Sequence, residues 1–127
     1  MKKSIPFEFV LDFLEELEPL TKPMFGAVGV YARGKIVFIL RNRESNPEDN
    51  GVWIATTSEH HESLKKNLNS MRSIEMFGPG PTGWQTLPVD DPNFERDVEI
   101  ACQLVLNDDS RIGKIPKTKL KKRKTRK

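Results

Sequence analysis

The C-terminal end sets the first limit on what this chain can fold into. Between Arg111 and Lys127 there are ten Lys or Arg residues and no acid. After Ile115-Pro116 the composition is reduced to Lys, Arg, Thr and one Leu. Such a stretch buries too little apolar area to offset its chain entropy. The expected organisation is therefore one folded unit over residues 1–110 and a disordered Lys/Arg-rich tail over 111–127. The folded part is long enough for one core and too short for two. The formal net charge of +3 conceals a split, because residues 1–110 hold only eleven of the 21 basic groups and all 18 acids. The body is thus about −7 and the tail +10, so the basic balance describes the tail.

Several function classes fall away on simple grounds. The longest apolar run, Ile36 to Leu40, is strand-sized, whereas a membrane span needs roughly 18–20 apolar residues. Met1-Lys2-Lys3 is a basic start, but Glu8 and Asp12 interrupt the apolar residues after it, which leaves no signal-peptide core. Cys102 is the single cysteine, so no internal disulfide can form. These features predict a cytoplasmic protein without a membrane partner.

Periodicity predicts three helices and a set of hairpin-linked strands. Phe7, Val10, Leu11, Leu14 and Leu17 share one helical face. They predict a first helix from about Ser4 or Ile5 to Glu18, with Ser4 as cap, Pro6 in the first turn and Pro19 as terminator. Thr21–Met24 and Ala27–Tyr31 read as strands, with Phe25 and Gly26 between them. Arg33-Gly34 reads as a hairpin turn into a buried strand over Lys35–Arg41. Asn42 to Gly51 reads as a polar surface loop, and Val52–Thr57 as the next strand. Ser58 caps a surface helix over Glu59–Asn69, whose apolar content is mainly Leu64 and Leu68. Arg72–Met76 and Trp84–Leu87 read as further strands around a Gly/Pro loop, the last one ended by Pro88. Asp91-Pro92 opens a third helix with Phe94, Val98, Ala101, Cys102 and Val105 on its buried face, closed by Asn107-Asp108-Asp109. The order predicts an α+β fold: a small antiparallel sheet flanked by N-terminal, middle and C-terminal helices, with the disordered basic tail beyond.

Candidate catalytic and ligand sites weaken on inspection. Gly78-Pro79-Gly80-Pro81-Thr82-Gly83 matches a dinucleotide fingerprint in letters. Pro79 and Pro81 lack the N–H groups that would hold a pyrophosphate, and a strand rather than a helix comes next. Glu59-His60-His61-Glu62 lacks the i, i+4 spacing that puts two ligands on one helical face. Cys102 sits on an apolar helical face with no base in sight. Asp90-Asp91 and Asp108-Asp109 lie at helix ends, where capping explains them. No catalytic residue, metal or cofactor is therefore expected. Trp53 and Trp84 read as core residues, unless both rings share one exposed sheet face beside Arg33, Arg41 or Arg43, where they could stack on bases.

The tail carries the clearest chemistry. Lys114, Lys117, Lys119, Lys121, Lys122, Arg123, Lys124, Arg126 and Lys127 form a polycation that would neutralise phosphates and release counterions. It has no aromatic residue, so it offers DNA or RNA no stacking and little sequence readout. The competing reading is a tail that merely solubilises, with the acidic body docking a basic protein. A third class, an enzyme, would have to draw on Cys102 or on His60 and His61.

Met24-Phe25-Gly26, then Gly29, Tyr31 and the Gly34 turn, followed by the apolar strand Ile36–Leu40, resemble in order the signature of the N-terminal domain of the TfoX/Sxy family. Trp84 to Leu87-Pro88 and a closing helix are compatible, so the likeness spans roughly residues 5–107. Ala27 stands where that family carries a second glycine, and Val30 where it carries leucine. A separate C-terminal domain found in full TfoX regulators has only the basic tail in its place here. The resemblance implies a small α+β domain, distantly similar to the YjbR/CyaY-like group, and an association with bacterial competence and transcription regulation. It implies no catalytic residue and gives Met24, Phe25, Gly26, Gly29, Tyr31 and Gly34 a role in the fold.

Overall fold

The computed structural model describes residues 5–24, 26–74 and 84–115. Six strands form one antiparallel sheet: β1 (Leu20–Met24), β2 (Ala27–Ala32), β3 (Lys35–Arg41), β4 (Gly51–Ala55), β5 (Arg72–Ser73) and β6 (Trp84–Pro88). Their spatial order is β1-β2-β3-β4-β6-β5. The helices are α1 (Phe9–Phe13), α2 (His61–Asn67) and α3 (Phe94–Leu106). The α+β class and the hairpin-linked sheet therefore stand as expected.

Both early hairpins follow from short turns. Met24 pairs with Ala27, so only Phe25 and Gly26 turn the chain. Ala32 pairs with Lys35 across Arg33 (φ 54°) and Gly34 (φ 77°), the two left-handed residues that match a two-residue turn to strand twist. Arg33 tolerates that conformation while its guanidinium donates to the Val105 and Leu106 carbonyls at the end of α3, where the helix dipole also favours a cation. Pro23 lies in the edge strand β1. By the alternation of the ladder its nitrogen faces the outer edge, where a missing N–H costs no bond and blunts edge pairing.

All three helices pack on one face of the sheet. Val10, Leu14, Leu64, Leu68, Val98, Ala101 and Cys102 share a buried cluster with Val30, Phe38, Leu40, Val52, Ile54 and Leu87. A second cluster lies on the opposite face: Ala27, Ile36, Ile39, Trp53, Ala55 and Ile74, with Met24, Tyr31 and Trp84 packed against it. It contains no residue of α1, α2 or α3.

Several expected boundaries move, each for a visible reason. The first helix does not start near Ser4 or Ile5 or run to Glu18. Phe7 has φ 55°, which stops α1 from extending back through Pro6, and its ring packs edge-on against Phe94 at 5.3 Å. After Leu14 the chain tightens to a 3-10 turn over Glu15–Leu17. The second helix is preceded by a 3-10 turn over Ser58–His60 and ends at Asn67. It is less superficial than expected, because Leu64 and Leu68 are fully buried. The loop from 42 to 50 is exposed only as far as Glu48. Asp49 and Asn50 are buried, and the Asn50 side chain bonds to both N and O of Arg43. Pro88 closes β6 as its last residue, one beyond the expected Leu87, and pairs there with Gly51. Glu75 and Met76, expected in a strand, lie outside the described residues.

The expected end of the folded part at Ser110 is also corrected. Ile112 is buried in the helix-side core. Gly113 N donates to Ala55 O, and Lys114 exchanges two backbone bonds with Ile36. Residues 113–114 thus fill the place beside β3 that β4 leaves vacant after Ala55. The ordered fold continues through at least Lys114.

Candidate functional site

The sheet face that no described helix covers gathers chemistry that the linear sequence disperses. Paired residues of an antiparallel ladder point to one face. Tyr31 on β2 opposes Ile36 on β3, Ile36 bridges to Lys114, and Ala55 on β4 opposes Trp84 on β6. These residues lie on one face over four strands, where the half-buried rings of Tyr31 and Trp84 stand among the buried side chains of Ile36 and Ala55. Each ring carries a lysine: Lys22 Nζ lies 5.2 Å from the Tyr31 centroid, and Lys114 Nζ lies 5.9 Å from the Trp84 centroid. Both separations are within reach of a cation–π attraction. Lys22 reaches this face because it opposes Gly29.

Trp53 lies on the same face but is fully buried, its indole N–H donating to Asp49 O at 2.8 Å and its ring 6.0 Å from that of Trp84. It is a support beneath Trp84 rather than a surface ring. The arginines expected beside the tryptophans are elsewhere. Arg33 reaches the end of α3. Arg41 is buried, donating to Ser45 O, Asn46 O and Asn50 Oδ1. Arg43 donates to Gly26 O. The cations that do accompany the rings, Lys22 and Lys114, are far apart in the sequence and do not stand out there as a pair. Two-residue alternation through the Phe25-Gly26 turn is the signal that places Lys22 and Tyr31 on one face.

The remaining signature glycines differ in what their surroundings ask of them. Gly26 has φ 74°, and a Cβ there would stand 2.5 Å from Arg43 Nη1. Gly29 has ordinary strand backbone, and a Cβ would meet Ile36 Cδ1 and Tyr31 Cε1 at 3.4 Å, so the fold does not demand glycine there. Phe25 lies outside the described residues, as do the Gly78–Gly83 loop and Lys117, Lys119, Lys121, Lys122, Arg123, Lys124, Arg126 and Lys127 of the tail.

Cys102 is fully buried, and burial together with the nearby Glu99 pushes its thiol up to about 12. At neutral pH it is a protonated core residue, ill-suited to attack. His60 Nε2 lies 3.3 Å from Glu59 Oε2, and among the described residues no three His, Cys, Asp or Glu side chains converge as metal ligands. The paired aspartates hold turns: Asp91 Oδ1 accepts from Asn93 N at 2.8 Å. Asp109 accepts from the backbone N, Nε and Nη2 of Arg111 at 3.0, 2.9 and 2.9 Å.

That last contact gives a pH prediction. Hydrogen bonding by the Arg111 side chain, first among the causes, lowers the Asp109 pKa below its ordinary value. A carboxylate depressed in the folded state stabilises the fold above its unfolded pKa of about 3.9, and that contribution is lost as pH falls through the folded value. Arg111→Ala is expected to move the Asp109 titration upward toward the ordinary range, read by NMR of its side-chain carboxyl. An unchanged titration would show that Arg111 is not what lowers it.

No described helix is long and apolar enough to cross a membrane. Compared with protein-family models, with curated proteins and with solved structures, the chain matches none.

Proposed function

We propose that this protein is a non-enzymatic, TfoX-N-like accessory or regulatory module that contacts nucleic acid through phosphates by its C-terminal polycation. The observation that carries the reading is the charge asymmetry: eight Lys or Arg residues come after Pro116 with no acid among them, on a net acidic body. The point of departure supports it, since the described residues end just after Lys114, whose ammonium lies over Trp84 on the sheet face opposite the three described helices. Such a polycation supplies affinity and orientation but no base readout. The test is fluorescence anisotropy with duplex DNA and single-stranded RNA over a salt series, comparing the full chain with one ending at Ile115. Neutralising about six phosphates predicts a log–log salt slope near −5 for the full chain. A slope of that size that vanishes in the shortened chain supports the reading, and absence of binding at physiological salt sinks it.

A second reading has its own observation. Glu8, Asp12, Glu15, Glu16 and Glu18 around α1, with Glu95 and Glu99 on α3, are exposed on the helical side. That surface suits a basic protein partner. A partner captured by residues 1–115 and released by the double change Glu95→Lys, Glu99→Lys would support it. Capture indifferent to that reversal would remove it.

A further inference from the structure

We propose that the cleft between α1 and α3 is a docking site for an arginine side chain of a basic protein partner, held by Glu95 and Glu99 against the rings of Phe9 and Phe13. The inference rests on the basic-partner reading above and deepens it: acidic charge alone admits any cation, whereas a ring-lined cleft with two carboxylates selects the planar, fork-shaped one.

Three features converge there. The first is shape. Phe9, Phe13, Glu95, Arg96 and Glu99 line an open cleft of about 450 Å³. That lies within the roughly 300–1,000 Å³ of ordinary ligand sites. Phe9 and Phe13 are the first and last residues of α1, four apart, so they stand on one helical face. Their ring centroids are 6.0 Å apart, edge to face, and Phe9 also packs edge-on against Phe94 at 6.4 Å. That packing fixes the floor of the cleft. Both rings are nevertheless only half-buried, which leaves apolar surface that the fold itself does not cover.

The second feature is unrelieved negative charge. Glu95 and Glu99 are four residues apart on α3, a spacing that puts like charges on one face and costs stability. Among the described residues neither carboxylate has a hydrogen-bond or ion-pair partner. Five more acids lie within residues 5–18, a stretch with no Lys or Arg. The third feature is the engagement of the one cation in the cleft. Arg96 Nη1 lies 3.8 Å from Oδ1 of Asp97, a buried oxygen without a hydrogen-bond partner. Arg96 is thus drawn to Asp97 rather than to Glu95 or Glu99. A guanidinium arriving from a partner meets carboxylates at the rim and rings at the floor. Its fork bonds a carboxylate through two N–H groups while its plane rests against a ring, and an ammonium lacks both the fork and the plane. The apolar stem of the same arginine covers ring surface that water otherwise meets.

The experiment uses the full chain with end-labelled octa-arginine and octa-lysine, equal in charge, and reads anisotropy at physiological salt. Octa-arginine is expected to bind about twofold to fivefold more tightly than octa-lysine. The double change Glu95→Gln, Glu99→Gln is expected to weaken both peptides by about threefold to thirtyfold. Phe13→Leu keeps apolar bulk while removing the ring. It is expected to bring octa-arginine down to the level of octa-lysine and to leave octa-lysine unchanged. Far-UV circular dichroism and a melting curve check that each variant is folded. Should Phe13→Leu fail to fold, shifts of the Phe9 and Phe13 ring protons in the parent on adding octa-arginine decide the matter, and their absence overturns the cleft. Equal affinity for the two peptides, or a folded Phe13→Leu that keeps the arginine preference, also overturns it. If the glutamine changes still weaken both peptides, the reading of a basic partner on an acidic surface survives that result. Binding of neither peptide, or binding indifferent to the glutamine changes, removes both readings together. Carbodiimide cross-linking of the free chain tests for other occupants. A bond from Glu95 or Glu99 to a lysine of the same chain, or of a second copy, puts that segment in the cleft and overturns a separate partner.

Discussion

Gly51→Ala is expected to destabilise the fold by about 4 kcal/mol, combining roughly 1–3 kcal/mol of backbone strain with ladder bonds worth about 1 kcal/mol each. Gly51 opens β4 with φ 147°, a conformation that side chains with a Cβ rarely adopt. A methyl built there would stand 2.1 Å from Leu87 O and 3.0 Å from Leu87 C. Both are backbone atoms of the neighbouring strand, so no rotamer change relieves the overlap. Gly51 must either rotate out of its conformation or push β6 away. The second course strains the pairing of Gly51 with Pro88 and Arg41 and the bond from Val89 N to Asn50 O. Total stability of about 0.05–0.15 kcal/mol per residue makes such a loss a large share of the whole. Gly34→Ala is the control, because its φ is also positive but nothing lies within 4 Å of the new methyl; about 1 kcal/mol is expected there. Urea unfolding of both variants gives the comparison. Equal midpoints for the two would mean that the close approach of Gly51 to Leu87 does not govern this end of the sheet.

The two glycines also show which parts of the fold can be read from the chain. The Arg33-Gly34 turn is legible because its cause is local: two left-handed residues between two strands whose lengths are set by apolar runs. Lys35–Arg41 is legible for the same reason, since five consecutive apolar residues flanked by turns leave few alternatives. Gly51 reads as part of an Asn-Gly loop, and only the approach of β6, distant in sequence, reveals why glycine stands there. Likewise, nothing local predicts that Phe7 takes φ 55°. The ring packing of Phe7 and Phe9 against Phe94 on α3 decides where α1 begins, over a helix-favouring pattern that would start it earlier. Of the candidate site, the sequence exposes Tyr31, Trp84 and the polycation as separate features. Their assembly depends on register, because a lysine and an aromatic ring meet across β1 and β2 only if the turn is two residues long. The sequence also points to the wrong cations, since Arg33 and Arg43 are close to the strands in number but are spent on backbone carbonyls.

The second large effect concerns where the folded part ends. Cutting the chain after Ser110 is expected to cost at least about 4 kcal/mol, whereas cutting after Ile115 is expected to cost under about 0.5 kcal/mol. Average composition draws the boundary at Ser110 because the positive charge begins at Arg111, but the average hides particular contacts. Ile112 is 2% exposed within the helix-side core, and removing a buried side chain of that size costs about 2–5 kcal/mol. Arg111 binds the Asp109 carboxylate, Ser63 Oγ and Asn67 Oδ1, and its carbonyl accepts from Thr56 Oγ1 at 2.7 Å. Without it, the buried Thr56 hydroxyl and the last turn of α2 lose their partners. Gly113 and Lys114 add three backbone bonds that occupy Ala55 O and both polar groups of Ile36. Buried backbone groups stripped of partners cost roughly 1–3 kcal/mol each where water cannot replace them. Thermal and urea unfolding of the two shortened chains against the parent distinguish the boundaries. If the Ser110 chain unfolds with the parent's midpoint, the strand-like segment 113–114 contributes nothing and Lys114 belongs to the tail in function as well as in sequence. If only the Ile115 chain matches the parent, Lys114 is a fixed element of the sheet face. A loss of nucleic-acid binding on cutting at Ser110 would then report a damaged fold as well as missing charge, which makes Ile115 the cut that isolates the polycation's own contribution.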